Sequence, residues 1–155
     1  FLRVMYYYYL DNRDASGAAG VLNHLIRKYP DDLEPIYLGL RFSLLTKKKI
    51  TYHSFRKLAN QKGMPVHTIH LFDIAFDLLN GDKTDAFNRI ADFEKEFPQF
   101  QYYATTLRYL ANDFFSNDEM EVKKAKKAFL DSVDQYCSEE LKKKSVLHPV
   151  GVVPK

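Results

Sequence analysis

Asn12-Arg13-Asp14, followed by Ala18, Leu22, Leu25, Tyr29 and Pro30, returns later in the chain as Asn80-Gly81-Asp82, followed by Ala86, Ile90, Phe93, Phe97 and Pro98. The offset is 68 residues at every position. Small and apolar residues at three- and four-residue spacing, between a polar break and a proline, describe one face of a helix. A chain that writes the same face twice at a constant offset repeats a whole structural unit. The residue types fit such a unit. Ala18 and Ala86 suit a close crossing of two helices, where a larger side chain would hold them apart. Leu22 and Ile90 lie one turn further on and fill the groove against the first helix of the pair. Tyr29 and Phe97 close the end of the second helix, and Pro30 and Pro98 stop it. A bulky replacement at Ala86 is expected to overpack the crossing at a cost of roughly 1–3 kcal/mol.

Helical periodicity runs through most of the 155 residues. It is interrupted at residues 11–14, 30–32, 46–48, 63–65, 80–82, 97–98 and 116–118, where Asp, Asn, Gly, Pro, Ser or Lys-rich breaks occur. Asp and Asn there can accept from the unpaired N–H groups of a following helix. The pattern predicts eight helices near 2–10, 14–29, 33–46, 50–61, 66–79, 83–97, 100–115 and 119–143. Paired, they form antiparallel hairpins at about 1–30, 31–64, 65–98 and 99–144. Residues 145–155, with Pro149, Gly151 and Pro154, read as an extended or disordered tail. The expected fold is therefore all-α, with about four hairpins stacked in a row, and with an irregular helical bundle as the alternative.

Composition narrows the class. The chain is 46% hydrophobic and 15% aromatic, enough to build a core and to exclude wholesale disorder. The single Cys137 excludes an internal disulfide framework and a multi-cysteine zinc site. No apolar run approaches the ~20 residues of a membrane span. These features read as an intracellular domain, cytoplasmic or nuclear, with no membrane contact. The opening FLRVMYYYYL reads as the middle of something, so the chain is expected to be a piece of a longer protein or complex. Four consecutive tyrosines on a helix point all the way round it, so Tyr6 to Tyr9 either divide between the core and a face toward solvent or a partner, or all serve as packing residues.

The 68-residue offset is twice 34, and a period of 34 is that of the tetratricopeptide repeat. From about Leu2 to Lys143 the chain resembles that family in spacing. It departs from it at Tyr6, where the family has a small residue, and has Gly39 and Ala75 only near the corresponding later positions. An intermediate unit is expected between Thr46 and Pro65. In the family the hairpins stack into a right-handed superhelix, which the resemblance implies here, and the first helix of each repeat lines a concave groove that receives a segment of a partner. The resemblance thus implies groove contacts at Arg3, Tyr7, Tyr37, Arg41, Thr68, Leu71, Tyr102, Thr105 and Tyr109. Inter-helix packing of several of these tyrosines is the other reading. The family's lysine and asparagine clamp for C-terminal carboxylates is not expected, because its positions hold Tyr7, Leu71 and Ala75.

No arrangement of residues points to catalysis: there is no phosphate-cradling glycine loop and no serine nucleophile elbow. Cys137 reads as a core thiol. His67, His70, Asp73 and Asp77 carry metal-ligating side chains, with His70, Asp73 and Asp77 able to share a helix face. A polar stripe, with His67 and His70 near a helix start, is the preferred reading, and His24, His53 and His148 are not read as ligands either. No catalytic residue, metal or cofactor is expected.

Charge is the remaining signal. The formal net charge is +3 from 23 basic and 20 acidic residues. Yet Pro35 to Phe72 contains no Asp or Glu and holds seven cations: Arg41, Lys47, Lys48, Lys49, Arg56, Lys57 and Lys62. The other 16 basic residues face all 20 acids, a net of −4. On the helix near 50–61, Lys49, His53 and Arg56 lie away from Phe55 and Leu58. A patch of Lys47, Lys48, Lys49, His53, Arg56, Lys57 and Lys62 suits an acidic protein segment or a nucleic-acid backbone, or else is a solvated face. The leading expectation is a non-enzymatic scaffold that docks a peptide, helix or acidic segment of another protein within a multi-subunit assembly. The second is a helical-repeat subunit that touches nucleic acid through residues 41–62. Tyr9 to Asp14 with Ala18 to Leu22 is similar, over about one repeat, to the repeat subunit of the RNA polymerase I promoter-selectivity factor. That similarity implies the second class, as part of a transcription-initiation complex.

Overall fold

The computed structural model describes residues 2–144, with side chains from Val4 to Cys137. The expected tail at 145–155 lies outside the described residues, as does the Arg3 side chain. The helices are α1 (Leu2–Asp11), α2 (Ala15–Lys28), α3 (Leu33–Leu45), α4 (Lys49–Gln61), α5 (Val66–Leu79), α6 (Lys83–Glu96), α7 (Gln101–Asp113) and α8 (Glu119–Lys144). No strand occurs among the described residues. The fold is all-α, and every helix falls within about two residues of its expected place. The segment after Pro98 is a short 3-10 helix, Pro98–Phe100, rather than a plain break.

The first three odd-numbered helices, α1, α3 and α5, end in the same backbone bonds. At the end of α1, Arg13 N–H donates to the Leu10 carbonyl and Asp14 N–H to that of Tyr9. This paired closure uses a left-handed residue, Arg13, with φ 57°. At the end of α5, Gly81 and Asp82 make the same bonds to Leu78 and Asp77, with Gly81 at φ 80°. At the end of α3, Lys47 and Lys48 make them to Leu44 and Ser43, with Lys47 at φ 55°. The side chains of Asn12, Thr46 and Asn80 each donate to the carbonyl four residues back, at 2.8 Å in all three cases. The turns at 12–14, 46–48 and 80–82 thus recur at steps of 34, and the intermediate unit expected from the sequence has its turn in the corresponding place. The helices that follow the outer two turns are also alike. Asp14 accepts from Gly17 N–H and Asp82 from Asp85 N–H, and this last bond holds the Asp82 carboxyl below its ordinary value. Tyr29 and Phe97 end these helices with φ,ψ of −127°, 68° and −125°, 67°.

The chain divides into two compact units, Phe1–Met64 and Pro65–Lys155, and the division falls where the second expected hairpin ends. In the first unit α1 packs on α2, α2 on α3 and α3 on α4. Ala18 is fully buried and Leu22 nearly so, as a close crossing requires. The tyrosine run divides: Tyr6 is fully buried, with its hydroxyl donating to the Leu38 carbonyl of α3 at 3.3 Å, whereas Tyr7 and Tyr8 are exposed. The position that lacks the small residue of the resembled family therefore carries a side chain that ties α1 to α3. Tyr29 does not close its helix against the core; it is exposed, with the Lys28 ammonium over its ring.

In the second unit α5 packs on α6, α6 on α7 and α7 on α8, and α8 returns to pack on α5. A row of stacked hairpins does not require this last contact, which closes the four helices into a ring. Leu71, Ile74, Ile90, Phe93, Leu107 and Phe129 fill the interior. The buried line of α8 is Ala125, Phe129, Val133 and Cys137, a strict four-residue stripe, and Cys137 is a fully buried thiol. Tyr136 sits beside that stripe, in an aromatic cluster where helix starts and ends meet. Its ring stacks on Tyr103 at 4.7 Å, and His67 packs edge-on or tilted against Phe97, Phe100 and Tyr136 at 4.8–5.8 Å.

Candidate functional site

The groove residues inferred from the family register separate into two groups. Tyr37 is 6% exposed and Thr68 fully buried, so neither can meet a docked partner. Leu71 is likewise fully buried. The reason lies in their helices. Buried residues run without a break from Pro35 to Leu40 in α3, and α5 buries Thr68, Ile69 and then Leu71 to Ala75. A helix that is apolar nearly all round is enclosed rather than edged by a groove. The near-continuous apolar run from Ile36 to Leu40 is the sequence signal that marks this. Arg41, one turn after Tyr37, is half-buried.

Tyr7, Tyr102, Thr105 and Tyr109 are exposed. Tyr102 and Tyr109 are 88% and 73% exposed and stand two helical turns apart on one face of α7, with Thr105 between them. The opposite face of α7 buries Ala104, Leu107 and Ala111. The Thr105 hydroxyl bonds to the Gln101 carbonyl of its own helix, which leaves the aromatic rings as the reach of this face. On α1, Val4, Tyr7 and Tyr8 form a second exposed apolar face, in the other unit.

The basic segment belongs to the first unit. Lys47, Lys48, Lys49, His53 and Lys57 are exposed at the α3–α4 corner and along α4. Lys47, Lys48, Lys49 and Lys57 make no ion pair among the described residues. Two expected members behave differently: Arg56 is half-buried, and Lys62 pairs with Asp31 at 3.5 Å. Tyr52 and Ala59 form the buried side of α4, with Phe55 and Leu58 half-buried beside it. Two apolar residues stand within the basic corner that charge counting does not reveal, Leu45 at 44% and Ile50 at 85% exposure. Helical geometry from Tyr52 and Ala59 places Ile50 on the opposite side of α4, which is the signal that could have found it.

His70, Asp73 and Asp77 do not converge on a common point. His70 Nδ1 lies 3.9 Å from Glu96, while Asp73 and Asp77 both face Arg89 of α6. Burial pushes the Asp77 carboxyl above its ordinary value, and the Arg89 guanidinium opposes that rise. These groups join α5 to α6 and form a structural ion cluster. No grouping of three or more metal-ligating side chains occurs among the described residues, and among them no helix is long and apolar enough to cross a membrane. Comparison with models of protein families, with curated proteins and with solved structures finds no match to this chain.

Proposed function

We propose that this chain is a non-enzymatic docking module that holds a segment of another protein against its exposed aromatic faces, inside a larger intracellular assembly. The observation that carries the reading is the pair Tyr102 and Tyr109, two rings held in water on one face of α7. Tyrosine combines a large apolar area with a polar tip and few rotatable bonds, and it is prominent among residues that dominate binding energies. The face is rigid, because its reverse is packed into a helical core. We read the hairpins as degenerate relatives of the tetratricopeptide repeat, stacked as a solenoid. The turn bonds that recur at 12–14, 46–48 and 80–82 support that reading. The docking face proposed here is narrower than the family register implies, since Tyr37 and Thr68 are withdrawn from it.

The test is the double variant Tyr102→Ala, Tyr109→Ala. Both side chains are exposed, so helical content and Tm should stay at their wild-type values. The set of chains that co-purify with the tagged parent protein after gentle lysis should lose a member. An unchanged set would count against α7 as the docking face.

A further inference from the structure

We propose that the α3–α4 corner is a second docking site, whose occupant is an acidic peptide segment carrying a bulky apolar side chain. The inference rests on the docking reading above but uses a different surface. Lys47, Lys48 and Lys49 are consecutive and exposed, and Lys57 lies on the same outward line of α4 as Ile50. None of the four lysines has an ion-pair partner among the described residues. The corresponding turns of the other two units carry Asp14 and Asp82 where this one has Lys48, so the positive corner is particular to the middle unit. An acidic segment complements that charge.

The apolar residues select among anionic partners. Leu45 and Ile50 flank the three lysines, and Ile50 is almost wholly in water. A nucleic-acid backbone would engage the lysines through its phosphates and leave Ile50 unused. A lipid surface would need a broad apolar face, and the outward line of α4 continues from Ile50 into the polar Ser54, Lys57 and Gln61. A peptide with carboxylates around a leucine-like side chain uses both sets: charge for the lysines, apolar cover for Ile50 and Leu45.

The experiment is fluorescence anisotropy with four probes. They are a Glu/Asp-rich peptide with a central leucine, the same peptide with serine in that place, an oligodeoxythymidylate, and phosphatidylserine-containing vesicles. The leucine peptide should bind tightest of the four, more weakly as salt rises. The triple variant Lys47→Glu, Lys48→Glu, Lys49→Glu should abolish this binding. Ile50→Ser should weaken it about tenfold, and the serine peptide should bind wild-type protein about tenfold more weakly than the leucine peptide, as loss of one buried aliphatic contact requires. Equal binding of the two peptides, indifference to Ile50→Ser, tighter binding of the oligonucleotide or the vesicles, or no binding of the leucine peptide would each overturn the proposal. All substituted side chains are exposed, and circular dichroism checks that the variants fold. None of these results bears on the α7 face, which is tested separately through Tyr102 and Tyr109.

Discussion

Phe55 lies over Gly39 so closely that a β-carbon at position 39 would overlap its ring. The α3–α4 hairpin is thus held at a separation that only glycine permits. Replacing an interior helical glycine by alanine ordinarily gains about 1 kcal/mol from propensity. Here the overlap reverses the sign, and Gly39→Ala should destabilise the protein by roughly 1–3 kcal/mol. Phe55→Leu in the same background should recover part of the loss. Urea denaturation of the two variants measures both effects.

Arg13 and Gly81 occupy the same left-handed position in two turns of the repeat. An L side chain in that conformation is costly, and glycine is not. Arg13→Gly should therefore raise stability by about 0.5–1 kcal/mol once the entropy of the unfolded glycine is deducted. Gly81→Ala should lower it by a similar amount. Opposite shifts in Tm would show that the two turns obey one rule; shifts of the same sign would refute it.

Arg89 serves two buried carboxylates at once, Asp73 and Asp77. Arg89→Ala would remove the cation that both carboxylates face. Because the arginine is half exposed, the expected loss at neutral pH is about 1–2 kcal/mol rather than the larger figure for a fully buried pair. The pH dependence has a definite sign. The folded-state pKa of Asp77 is already above 3.8, so its contribution falls as pH rises through that raised value. Removing Arg89 raises the value further. The variant should recover stability relative to wild type as the solution is acidified through the carboxylate range and Asp77 takes up a proton. A penalty that stayed constant with pH would show that lost packing, not charge, dominates.

The Tyr103 hydroxyl is enclosed and has no hydrogen-bond partner among the described residues, and burial pushes its pKa well above 10. Its ring still stacks on Tyr136. Tyr103→Phe keeps the stack and removes the orphaned group, so it should stabilise the protein by about 1 kcal/mol. A loss in thermal unfolding would mean that the hydroxyl does useful work elsewhere.

Much of this architecture could be read from the residues. Helix limits followed from apolar spacing because Asp14, Asp82, Pro30 and Pro98 mark them chemically. The middle turn was harder to see, since its closure is made by backbone groups that accept Thr46-Lys47-Lys48 as readily as Asn80-Gly81-Asp82. The lysines of the basic corner were visible as composition. Whether Arg56 and Lys62 joined them depended on neighbours distant in the chain, among them Asp31. Tyr37 and Tyr102 look equivalent in a repeat register; only the enclosure of α3 separates them. The stripe Ala125, Phe129, Val133 and Cys137 announces that α8 is buried on one side, but nothing in it names α5 as the surface it covers.

That return of α8 to α5 also sets an order of events. The pairs α1–α2, α3–α4 and α5–α6 join helices adjacent in the chain, with low loop-closure cost, and such local contacts form quickly. The α5–α8 contact joins helices separated by both α6 and α7. During synthesis the first unit would be able to pair its helices as they emerge. The second would hold the apolar side of α5 partly uncovered until more than fifty further residues had been added. Until α8 arrives, that uncovered surface is of the kind that invites aggregation or chaperone binding.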